Sequence, residues 1–171
     1  MWVFDATPLI YLAKTDALGY CEGLDEPCLI PERVYSEVVE TGIEQGYPDA
    51  RRIERSVDDG RFQVVTVEES TMFGRLERNP NLSSADVAVL THAAAVRGVA
   101  VMDEAHGRDV AATEGITTRG TAYLVLLLAS REVLAVETAR LVIDGMIDSG
   151  WYCAPDMYAK LVGRLESIHD S

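Results

Sequence analysis

The stretch MWVFDATPLIYLA constrains the fold of this chain more than any other. Trp2, Val3 and Phe4 read as a short apolar strand that ends on Asp5. Thr7 and Pro8 then predict a helix start, with Thr7 as N-cap and Pro8 at the first helical position. Leu9, Ile10 and Leu12 make that helix apolar. A carboxylate therefore falls where a buried strand gives way to a helix, and with Thr7 at the cap it has no capping duty. Ligands of open α/β sheets collect at the carboxyl ends of strands, so Asp5 is the residue around which partners are sought.

The rest of the chain alternates between strand and helix signals. Residues 27–30, 62–67, 99–102 and 116–118 read as further strands. Residues 16–23 read as a short helical turn. Helices are expected over 31–42, 48–60, 68–78, 83–98, 105–114 and 122–130, with Gly42 as a C-terminal stop. From Val136 onward two helices are expected, split at Gly150-Trp151, the second opened by Pro155. This order implies a mainly parallel sheet of four to five strands with right-handed crossovers. No repeat, low-complexity segment or linker interrupts it. The 171 residues are expected to form one domain, with a C-terminal helical extension over about 136–168.

Four acids stand out in this frame: Asp5, Glu37, Asp86 and Asp103. Asp5 and Asp103 follow strands. Glu37 lies on the border of an apolar helical stripe of Val34, Tyr35, Val38 and Val39, whereas Glu40 points to solvent. Asp86 shares a helix side with Leu90 and Ala93, where a charge is costly unless paired or bound. Each acid also has a plain structural reading. Ser83-Ser84-Ala85-Asp86 has the form of a capping box, Asp103 is placed to cap the next helix, and Glu37 fits a solvated flank; Asp5 has the weakest such reading. Taken together, the acids would repel one another unless a cation joined them. Mg²⁺ or Mn²⁺ takes hard oxygen ligands and keeps several waters, which suits phosphodiester hydrolysis. His92, on a side rich in alanine, reads as structural, and His106 is a weak candidate. Arg108 can hold a phosphate or neutralise the acids. No phosphate-binding glycine loop, HExxH or serine elbow is present.

Twenty-eight acids face fifteen bases, a formal charge of −13, and only Lys14 and Lys160 are lysines. Such a surface opposes strong attraction to polyanions in dilute salt. Either the partner is not a polyanion, or the protein works in concentrated salt, where at ~1 M the screening length is about 3 Å. The lysine-poor, acid-rich balance favours the second account and is similar to that of proteins from salt-loving archaea. The longest apolar stretch, 122–129, is far short of a membrane span. Asp5 interrupts the only apolar run near the N-terminus, so no signal peptide is expected. Cys21, Cys28 and Cys153 lack zinc-like spacing and read as reduced core thiols of a cytoplasmic protein.

The motifs FDATPLIYLAK, IPERVYSEVVETG, LSSADVAVLTHA and VAVMDEAHGRDVAATEGI, in this order, resemble those of the PIN-domain (PilT N-terminus-like) nucleases, which include the VapC-type toxins. RGTAYLVLLLAS and SGWYCAPDMYAKL are similar to a largely archaeal branch of these proteins. The resemblance implies a three-layer α/β/α fold and a metal-dependent RNA endonuclease, often a homodimer and often inhibited by a small antitoxin protein. It places Asp5, Glu37, Asp86 and Asp103 as catalytic acids, with Asp5, Asp86 and Asp103 on the metal. Thr7 is the hydroxyl companion of Asp5, expected at a ligand or at the substrate phosphate. Glu104 follows Asp103 where many relatives carry an Asp, which leaves Glu104 and Asp109 as candidates to join the site. Two other readings stand beside this one: the same fold as a catalytically weak nucleic-acid-binding or interaction protein, and an aspartate-dependent phosphatase. The latter needs a second Asp where Thr7 stands.

Overall fold

The computed structural model describes residues 1–170. Five short strands form one sheet: β1 (Trp2–Phe4), β2 (Cys28–Pro31), β3 (Gln63–Val65), β4 (Val99–Val101) and β5 (Thr117–Arg119). Their order is β3-β2-β1-β4-β5 and every pairing is parallel. The sheet and helices together form the α/β fold that the alternating signals imply. Trp2, Val3 and Phe4 are all buried, as a strand flanked on both edges and covered on both faces must be.

The chain winds from β1 outward to β2 and β3, then returns to the other side of β1 for β4 and β5. Right-handed crossovers in opposite directions put their helices on opposite faces. On one side α1 (Ala6–Lys14) packs with α4 (Pro48–Asp58) and α9 (Val136–Asp148). On the other, α6 (Ser84–Val96) lies across β1, β2 and β4 and carries α5 (Thr71–Glu77). Then α7 (Ala105–Thr113) joins β4 to β5. The helices α8 (Thr121–Ser130) and α10 (Pro155–His169) pack together and against α9. Winding reverses between β1 and β4, and the carboxyl ends of these two strands frame the crevice where α/β sheets bind ligands.

Several local expectations are corrected. Helix α1 starts one residue before Thr7. Asp5 occupies the cap position with extended backbone (φ −80°, ψ 170°), its side chain makes no capping hydrogen bond, and Thr7 is exposed in the first turn. Pro8 is tolerated as the third helical residue because first-turn N–H groups have no partner inside the helix. The segment 31–42 is not one regular helix stopped by Gly42. It runs as α2 (Glu32–Tyr35), a π-helical turn (Ser36–Thr41) and α3 (Gly42–Glu44). Gly42 stays helical at φ −60°, and its missing side chain admits Ala50 of α4: a Cβ there would lie 2.8 Å from the Ala50 Cβ. The expected helix over 68–78 is shorter, with Ser70 accepting from the Phe73 N–H at 3.2 Å as its cap. The turn at 16–23 is a 3₁₀ segment, Leu18–Leu24.

All three cysteines are free thiols. Cys21 and Cys28 are buried in the core, and burial pushes the Cys28 thiol up to about 12. Cys153 is only half-buried, in the connection between α9 and α10, so it is not a core thiol. Among the described residues no helix is long and apolar enough to cross a membrane.

The two helical glycines with opposite surroundings test this packing. Gly42→Ala presses on a Cβ that cannot rotate away, so overpacking at about 1–3 kcal/mol outweighs a helix-propensity gain of about 1 kcal/mol. Gly163 of α10 has nothing within 4 Å of its Cβ position, and Gly163→Ala gains up to about 1 kcal/mol. Urea unfolding should show a lower midpoint for the first variant and a higher one for the second.

Candidate active site

Asp5 is fixed by the sheet. Phe4 pairs with Val101 across β1 and β4, and the Asp5 N–H donates to the Val101 carbonyl at 3.0 Å. The Asp5 side chain is thereby drawn into the molecule, and the residue is only 7 % exposed. Burial raises its pKa from 3.8 to about 7; the Ala6 N–H opposes this, and the charges of Asp86, Glu37 and Asp103 add to the rise. The four acids therefore share one electrostatic neighbourhood at the reversal point of the sheet. Among the described residues no cation pairs with Asp5.

The acids are held in different ways. Asp86 is half-buried in the first turn of α6, and the capping box is real: Ser83 Oγ accepts from the Asp86 N–H and Asp86 Oδ2 accepts from the Ser83 N–H, both at 3.0 Å. Its Oδ1 is spared. Glu37 is exposed, on the π-helical turn. Such turns recur at functional sites. Asp103 does not cap α7. That role belongs to Glu104, which accepts from the N–H groups of His106 at 2.9 Å and Gly107 at 2.8 Å, so that its pKa is lowered. Glu104 is exposed, caps α7 with both oxygens and is not among the charges acting on Asp5. Asp109 is exposed on α7 and is not among the charges acting on Asp5.

Asp103 reaches instead to the start of α8. Its Oδ1 accepts from the Thr121 N–H at 2.7 Å. Its Oδ2 accepts from the Thr121 hydroxyl at 2.7 Å and from the Trp151 indole N–H at 3.2 Å. A carboxylate has about four lone-pair sites, so one remains. Gly120 makes room for this arrangement, since a Cβ there would lie 3.0 Å from Asp103 Oδ1 and 3.5 Å from Arg108 Nη1. Thr121, Trp151 and Gly120 were not signalled as site residues. The faint hints were a Gly-Thr pair opening a helix and an indole whose N–H needs a buried acceptor.

Arg108 is exposed on α7 and lines a cleft with Asp103. His106 stands beside Asn79, its Nε2 3.4 Å from the amide nitrogen, and not in the acid group. His92 is half-buried, with its pKa lowered by that burial. As the side chains stand, no three or more acidic, His or Cys groups among the described residues are placed to enclose a metal ion. The donor chemistry nonetheless fits a hard dication. Asp5 is buried and has no cationic partner among the described residues, Asp86 has a spare oxygen, and the donors are carboxylate oxygens.

A family model described as a PIN domain (DUF3368) matches residues 1–167. The chain belongs to the PIN-domain family. At that level a nuclease-type, hydrolytic function follows, in a family that generally uses divalent metal ions. No curated protein and no solved structure matches the chain.

The raised Asp5 pKa has a measurable consequence. Folded Asp5 keeps its proton up to about pH 7, whereas its ordinary pKa is 3.8. Between these values the folded state binds more protons, so stability falls as pH rises through that window. The full effect is on the order of 4 kcal/mol. Asp5→Asn removes it. In metal-free urea unfolding the variant should gain stability over the parent near pH 8 and much less near pH 4. An equal loss of stability at both pH values would contradict the burial of an uncompensated charge.

Proposed function

We propose that this protein is a divalent-metal-dependent endoribonuclease that hydrolyses RNA phosphodiester bonds. The observation that carries the reading is the buried Asp5 carboxylate at the reversal point of a parallel sheet, its pKa raised further by the charges of three other acids and, among the described residues, paired with no cation. Asp5 and the free oxygen of Asp86 would hold Mg²⁺ or Mn²⁺, with the last lone pair of Asp103 turned to the ion or to one of its waters. A dication there supplies Lewis acidity to a phosphoryl oxygen and a water of lowered pKa. Glu37, exposed to solvent beside the acids, takes the proton of the attacking water. Thr7, exposed in the first turn of α1, donates to the scissile phosphate, and Arg108 neutralises a neighbouring one.

The toxin role, a small antitoxin partner and a homodimeric state belong to the same proposal. They rest on the likeness of the four motifs to VapC-type toxins. The surplus of acids supports a setting of concentrated salt, where screening lets an anionic protein approach RNA. One observation favours a second reading, a binding protein with a weak site: the acids do not close round an ion as they stand.

Asp5→Asn and Asp86→Asn separate the two. Loss of one preorganised electrostatic group costs about 10²–10³ in rate. Each variant should lose RNA cleavage by that order, measured in molar KCl with Mn²⁺, together with the calorimetric heat of Mn²⁺ binding. Cleavage at the parent rate in Asp5→Asn would defeat the site assignment. A parent protein with no Mn²⁺ heat would favour the binding protein.

A further inference from the structure

A second feature lies beside the acids. A cleft of roughly 490 Å³ runs from Asp103 between α8, the connection 151–154 and α10. Four of the fifteen bases of the chain, Arg108, Arg119, Lys160 and Arg164, line it, against one carboxylate, Asp103. Among the described residues none of the four is ion-paired. In a protein of charge −13, unpaired cations gathered in one cleft mark where an anion is met.

The cleft is aromatic as well as basic. Tyr152 is 85 % exposed, and among the described residues its hydroxyl has no hydrogen-bond partner that explains that position. Tyr123 carries the Arg119 guanidinium 5.0 Å above its ring. On α10, Met157, Lys160, Leu161 and Arg164 follow the i, i+3, i+4, i+7 spacing of one helix face. Leu161 anchors that face in the core, while Lys160 and Arg164 stay exposed. Cations that follow a backbone and aromatic rings that accept bases are the two parts of a single-strand nucleic-acid site. Trp151 ties the cleft to the acids through its hydrogen bond to Asp103.

We propose that this cleft holds the nucleotides flanking the scissile bond of single-stranded RNA, with a base on the Tyr152 ring and phosphates on Lys160 and Arg164. The inference rests on the nuclease reading for its substrate, but its binding test does not require turnover. The probe is a fluorescein-labelled single-stranded RNA dodecamer, titrated with the full chain in EDTA and followed by anisotropy. Hydrolysis of bis(p-nitrophenyl) phosphate with Mn²⁺, a substrate too short to need the cleft, runs in parallel.

Loss of one stacked base lowers affinity by roughly tenfold, the drop expected for Tyr152→Ala. Tyr152→Phe, which keeps the ring, should retain parent affinity. Lys160→Ala with Arg164→Ala should reduce the salt dependence of binding by about 1.4 in log–log slope, the share of two single-strand phosphates. Hydrolysis of the small diester should stay at the parent rate in all three. Parent-like RNA affinity in Tyr152→Ala and in the double variant overturns the proposal, as does a parent protein that binds no RNA. A parent protein that binds the dodecamer, loses it on these substitutions and hydrolyses neither substrate keeps the cleft and defeats the nuclease reading.

Discussion

The burial of a carboxylate at the end of the central strand sets the terms for the rest of the molecule. β1 has a parallel neighbour on each side, so its last hydrogen bond carries Asp5 into the crevice between β1 and β4. Desolvation disfavours the charged form, and the neighbouring acids deepen the penalty rather than relieve it. A fold assembled for stability alone would place a neutral residue or a paired cation there. Retaining an acid is the kind of locally unfavourable choice that marks a functional site.

The surrounding acids divide their duties according to what the nearby backbone demands. Glu104 caps the start of α7 with both oxygens, and Asp86 caps the start of α6 with one. Asp103 is immobilised by donors from α8 and from the connection before α10. Such outer contacts orient a ligand and limit its freedom. The C-terminal helices therefore take part in building the crevice: through Trp151 they fix one of its walls, and through α10 they present cations next to it.

Much of this was legible in the sequence because the punctuation is local. Pro48, Pro155, Gly115 and the Ser83 cap mark boundaries that fall where the side chains demand them. Asp5 was legible as an acid at a strand end. The helix start was misplaced because Thr-Pro is a strong signal, yet an Asp in extended conformation can open the helix without using its side chain. The π-helical turn bearing Glu37 was hidden because no local residue encodes it; the close approach of α4 at Gly42 shows that the neighbouring helix is part of its setting. Thr121 and Trp151 were hidden for a related reason, since they meet Asp103 across sequence separations of 18 and 48 residues. Asp86 shows that a structural reading and a functional one can both apply to one residue, because a carboxylate has more lone pairs than a cap consumes.

We propose that acids distant in sequence serve one shared dication. Anomalous scattering from crystals soaked in Mn²⁺ examines it directly. A peak is expected within coordination distance of the Asp5 carboxylate, with Asp86 turned toward it and Asp103 still bonded to Thr121. Crystals that take up Mn²⁺ elsewhere and leave Asp5 without it, at a pH where this acid is ionised, would contradict a shared dication.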